Sequence, residues 1–107
     1  MTTFDDRERA FETKFAREQE HQFRVVARRN KLLGWWAGHL MGLNEAEADA
    51  YARDVVHAEF EGGGDGDVVR KLLGDLTGAG VDIDEARIRQ AMDEQTVEAR
   101  RQLIEEV

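Results

Sequence analysis

Cysteine and proline are both absent from the 107 residues. Without cysteine the chain has no disulfide framework, no thiol nucleophile and no thiolate metal site. Long apolar runs are missing as well: no stretch approaches the ~20 residues of a membrane span. The start, MTTFDDRE, is acidic and polar where a signal peptide needs a basic and then an apolar run, so a cytoplasmic protein is expected. Period-two alternation never persists beyond a few residues, which leaves little room for strands. What remains is helical signal, and the chain is expected to be all-α.

Charge is plentiful but uneven. The whole chain carries −8, yet Met1 to Lys31 holds eight basic and six acidic residues, while Leu32 to Val107 holds seven and seventeen. A body at −10 repels a duplex or an anionic membrane surface, which argues against nucleic-acid binding and against direct membrane insertion. With 41 % hydrophobic and 36 % charged residues, the composition suits one small core plus a polar tail.

The first helix is expected to begin after Asp5 or Asp6, either able to cap free amides, and to run to about Met41. Its apolar stripe is Phe4, Phe11, Phe15, Val26, Leu33, Trp36 and Leu40, interrupted by Glu18, Gln22 and Arg29 on the same face. Asn44 with Glu47 three residues on predicts a capped second helix to about Glu61, whose inward face is Ala48, Tyr51, Ala52 and Val55, with Phe60 near the end. The run Gly62 to Gly66 reads as a linker. Asp67 is the expected N-cap of a third helix carrying Val69, Leu72, Leu73 and Leu76, stopped by Gly78 and Gly80. Asp84 is the expected cap of a fourth, with Ile83 and Ile88 as a hydrophobic staple and Ile88, Met92, Ala99 and Leu103 buried. Four helices with short turns predict a four-helix bundle with a long first helix.

The N-terminal part of that helix is built differently from the rest. Between Phe4 and Gln22 the only large apolar side chains are Phe4, Phe11 and Phe15, set among charges of both signs. At 100° per residue the three rings fall within about 40° of one another. Three rings build no core, so residues 1–19 are expected to be a mobile or docking arm that becomes an ordered helix in a partner's cleft, and residues 20–107 the bundle. Phe4, Asp5, Asp6, Arg7, Phe11, Lys14 and Phe15 are the candidate partner-binding residues. The rings are expected to hold the complex and Asp6, Arg7 and Lys14 to guide encounter.

Signals for chemistry are weak. GGGDG has no following Lys-Ser or Lys-Thr and no preceding strand, so it is not a phosphate loop. His21 and His39 on one helix stand about 27 Å apart, which rules out a shared metal, and His21, His39 and His57 are expected in solvent. The arm's carboxylates read as a solvated face, because acid and base catalysis needs a closed pocket. Neither a catalytic centre nor a cofactor is expected. Arg24, Arg28, Arg29 and Lys31 form a secondary basic patch that neutralises the acidic helices or faces an anion. Of the adjacent tryptophans, Trp36 lies on the stripe and is expected in the core, with Trp35 beside it.

The succession FDDRERAFETKF, FRVVARRNKLLGWWAG, LMGLNEAEADAYARDVV and DVVRKLL resembles the alphaproteobacterial zeta family, the ATPase inhibitor subunit of the F-type rotary ATP synthase, collinearly over essentially the whole chain. The resemblance implies a non-enzymatic four-helix protein whose N-terminal segment, here Thr2 to Gln19, inserts into the catalytic head and blocks rotation in the hydrolytic direction. It implies as partner the alpha/beta interface and gamma of that head, a peripheral place on the inner membrane through the ATP synthase, and a monomer when free. The rival reading is an acidic helical module that binds a nucleotide or an unrelated protein through the basic patch.

Overall fold

The computed structural model describes residues 3–106, and the side chains of all of these except residues 3–6 and 11. Helix α1 spans Thr3–Leu40, α2 Glu45–Ala58, α3 Gly64–Gly78 and α4 Glu85–Glu105; no strand occurs among the described residues. The fold is all-α, as the periodicity predicts. It has three helical runs, however, instead of four helices parted by turns, because α2 and α3 are joined directly through the kinked π turn Glu59–Gly63. The expected linker is thus a kink inside helical structure. Gly62 (φ +135°) and Gly64 (φ +65°) adopt the angles that bend the chain there, a region that only glycine enters without strain.

The ends of the elements follow the local chemistry closely. α1 begins at Thr3, so Asp5 and Asp6 occupy its first turn, where negative charge suits the helix terminus, and do not precede it as caps. It ends in a Schellman turn: Leu43 N–H donates to the Gly38 carbonyl and Gly42 N–H to that of His39, with Gly42 at φ +79°. Asn44 then makes both bonds of the capping box with Glu47. α3 starts at Gly64, three residues before the expected cap; Asp67 lies in its first turn and pairs with Arg70. A second Schellman turn, with Val81 N–H on Leu76 and Gly80 at φ +83°, closes α3. Asp84 caps α4 by accepting from Arg87 N–H.

The core is Leu33, Ala37, Val55, Val68, Val69, Leu72, Leu76, Ile88, Ala91 and Met92, with Trp36, Tyr51, Val81 and Ile83 packed on it. The C-terminal half of α1 lies between α2 and α4. Against α2 the contact is unusually close, because Gly34 and Gly38 on α1 meet Ala52 and Ala48 on α2, small residues spaced by four on both sides. Leu40, expected in the stripe, is 45 % exposed. The Arg87 guanidinium lies over the Trp36 ring at 5.3 Å, level with the beginning of α4, so a residue one turn further along α1 has passed the end of its neighbour. Leu103, near the other end of α4, is only partly buried.

Candidate docking surface

The N-terminal part of α1 stands clear of the bundle. Every described side chain from Arg7 to Arg24 is exposed, and Val25 is the first to be buried. Helical geometry makes the 38 residues of α1 about 57 Å long, in a molecule measuring 64 × 27 × 21 Å. The helix up to about Glu18 is therefore a projection with no core of its own, and it meets the bundle at Phe23. The backbone of the expected mobile or docking arm is helical from Thr3. The exposed segment holds good helix formers and neither Gly nor Pro, and the i,i+4 ion pair of Glu20 with Arg24 adds to it.

Of the candidate arm residues, Arg7, Lys14 and Phe15 are exposed, Phe15 by 54 % of its surface. The side chains of Phe4, Asp5, Asp6 and Phe11 lie outside the described residues. At the foot of the arm Arg24 pairs with Glu20 at 2.9 Å. Beside it Phe23 stacks on Phe60, ring centroids 4.8 Å apart and planes 28° from parallel. This pair escapes the sequence reading because Phe23 points some 80° away from the row of Phe15 and its partner lies 37 positions on; their shared aromatic character was the one available signal.

The basic patch does not converge on one point. Arg24 serves Glu20; Arg28 donates to Gln102 at 2.9 Å and pairs with Glu106 at 2.7 Å; Lys31 sits 5.0 Å over the Trp35 ring, whose Nε1 donates to Asp49 at 2.7 Å. Arg29 turns the other way. It is 6 % exposed, beside the fully buried Asn30, and it reaches the carboxylates of Glu59 at 3.4 Å and Asp65 at 2.8 Å. Its charge on the buried face, which sequence alone presents as an interruption of the stripe, is what fastens α1 to the π turn and to the start of α3. Burial, reinforced by the charge of Asp65, pushes the Glu59 carboxyl above its ordinary value. The Arg29 hydrogen bond holds Asp65 below its own. A carboxylate pair shares one guanidinium, and the less exposed member is the one that protonates first.

The remaining polar residues offer little for catalysis. Tyr51 donates to Asp75 at 2.6 Å, and burial, helped by that carboxylate, raises the phenol well above its usual range. A groove of about 340 Å³ between α1 and α2, bordered by Lys31, Trp35, Asp49 and Arg53, mixes both charge signs. His21, His39 and His57 are exposed, and no group of three metal-ligating side chains gathers among the described residues. None of the buried polar side-chain atoms described lacks a hydrogen-bond partner. No described helix is long and apolar enough to cross a membrane.

Comparison with known proteins places this architecture. A protein solved in solution by NMR is 44 % identical, superposes with a TM-score of 0.71, and is matched over 80 % of this chain and 98 % of its own. No curated protein sequence matches. The family model described as ATPase inhibitor subunit zeta matches residues 1–102, and with that match, over a helix whose first half has no core to pack on, the chain belongs to the ATPase inhibitor subunit zeta family.

Proposed function

We propose that this protein inhibits the F-type rotary ATPase by inserting the N-terminal part of α1 into the catalytic head, at the interface between alpha and beta subunits and close to gamma. The observation that carries the proposal is the exposure of every described side chain of α1 from Arg7 to Arg24, Phe15 among them, on a helix that ends in a packed core. Burying such a ring contributes on the order of 1.5–3 kcal/mol. Because the arm's backbone is already helical, less ordering entropy opposes that gain than for a disordered peptide. The cleft between large subunits changes shape in each catalytic cycle, so a wedge fitting one state arrests the motor there. Phe4 and Phe11, at the same helical azimuth as Phe15, complete the row, while Asp5, Asp6, Arg7 and Lys14 steer the approach. The protein acts without catalytic chemistry, from the cytoplasmic side of the inner membrane, as a monomer until it binds.

The nucleotide-binding alternative has less support. Arg29 faces inward and Arg28 is engaged by Glu106, which leaves Arg24 and Lys31 without a shared focus. Hydrolysis by the cognate ATPase, measured with the full chain and with a chain lacking Met1 to Arg17, separates the two. Loss of inhibition on deletion supports the arm; full inhibition by the truncated protein removes it.

A further inference from the structure

We propose that the surface bound by the ATPase does not end with the arm but continues onto a shelf made by Phe23 and Phe60 at its foot, and that this shelf receives an apolar, uncharged part of the same partner. This rests on the arm reading above. Phe23 and Phe60 are 55 % and 48 % exposed, although they stack on each other. The π turn takes Glu59 inward to Arg29 and Asn30 and leaves the next residue, Phe60, facing out against α1. Between the rings and α1 runs an open groove of about 440 Å³, bordered also by Gln19, Gln22 and Val26.

Three features point to the occupant. The first is continuity: Gln19, Gln22 and Val26 lie within about 40° of the direction of Phe15 on the same unbroken helix, and Phe23 is about 12 Å further along. A partner surface laid along the Phe15 row therefore meets the groove without turning. The second is area. Two half-exposed rings offer roughly 200 Å² together, far below the ~800 Å² per partner of a stand-alone interface, so the shelf extends a larger contact and does not hold a second copy of this chain by itself. The third is charge. Glu59, the one ionisable group on the groove, is occupied by Arg29 and Asn30, and the border is formed by two neutral amides, which match a hydrogen-bonding rim and not an ion.

Dissociation of the full-length chain from its cognate ATPase, followed by recovery of hydrolysis, tests this with Phe23→Ala, Phe60→Ala and Phe15→Ala at two ionic strengths. Each shelf substitution is expected to speed dissociation roughly three- to tenfold, equally at low and high salt. If Phe15→Ala speeds dissociation and neither shelf substitution does, the shelf is only packing and the arm reading stands. If none of the three has an effect, the arm reading falls too. Should a shelf variant melt early in the free state, a second measurement decides: the chain has no cysteine, so Gln22→Cys carrying a photo-crosslinker reports contact directly. Crosslinking to a head subunit supports the shelf. Its absence, with Phe15→Cys crosslinking in parallel, overturns it.

Discussion

A Cβ on Gly34 would stand 2.5 Å from the Cα of Ala52. That separation is backbone against backbone, so no side-chain rotation relieves it, and α1 and α2 can cross this closely only because position 34 has no side chain. Gly34→Ala should therefore destabilise the protein by about 1–3 kcal/mol, even though Ala is intrinsically the better helix former by about 1 kcal/mol. Gly74, on the exposed side of α3 with nothing near its would-be Cβ, is the control, and Gly74→Ala should be neutral or stabilising. Urea unfolding of the two variants checks the contrast.

The core depends on Leu72 and Leu76, both with no accessible surface. Leu72→Ala is expected to cost about 2–5 kcal/mol. Leu40→Ala should cost less than about 1 kcal/mol, since nearly half of that side chain is already in water. A comparable loss at both positions would mean that the end of α1 is covered in solution.

Stability should depend on pH through Glu59 and Asp65, with opposite signs. Glu59 binds its proton more tightly folded than unfolded, so its contribution is complete below the ordinary glutamate value of 4.5 and is lost as pH rises through the folded pKa. Asp65 is held low, so its contribution is present above the ordinary 3.8 and is lost as pH falls through the folded pKa. Acidifying from neutrality should first stabilise this corner and then, well below pH 4, weaken it. Glu59→Gln should abolish the first effect. Arg29→Met, which leaves two carboxylates without a counter-charge, should cost about 3 kcal/mol at pH 7 and less at pH 5. Unfolding curves at pH 7, 5 and 3 for the three proteins provide the measurement; a pH-independent loss in Arg29→Met would count against shared protonation.

On the arm, Phe15→Ala should raise the dissociation rate from the ATPase while leaving the free protein's melting temperature unchanged, because the ring has no intramolecular core to lose. Arg7→Ala should instead slow association, and do so less at high salt, where exposed charges are screened. Binding kinetics at two ionic strengths distinguish a wedge from a charge clamp. Unchanged dissociation in Phe15→Ala, with binding abolished by Arg7→Ala or Lys14→Ala, would favour the clamp.

Sequence made the helices legible wherever a local rule determines them: the capping box at Asn44 and Glu47, the cap at Asp84, the stop at Gly80, and the spacing of Leu72 and Leu76. Non-local relationships stayed hidden. Arg29 and Asn30 look like surface residues until Glu59 and Asp65, thirty-odd positions away, are brought to them. Gly34 and Gly38 look like weak points in a helix until Ala48 and Ala52 show that they are contact surfaces. Likewise, glycine content alone announces a break near residue 63, but not that it is a tight kink with Gly62 and Gly64 at positive φ.

Since arm and core share one unbroken helix, the bearing of Phe15 is set by the bundle behind it. Inserting a single residue between Gln19 and Val25 would rotate the whole row by about 100° and advance it by 1.5 Å, whereas seven residues would return it to within about 20° of its original direction, about 10 Å further out. In its described form the chain is thus a key with a fixed bitting, whose length can change only in helical repeats if the row is to keep its direction.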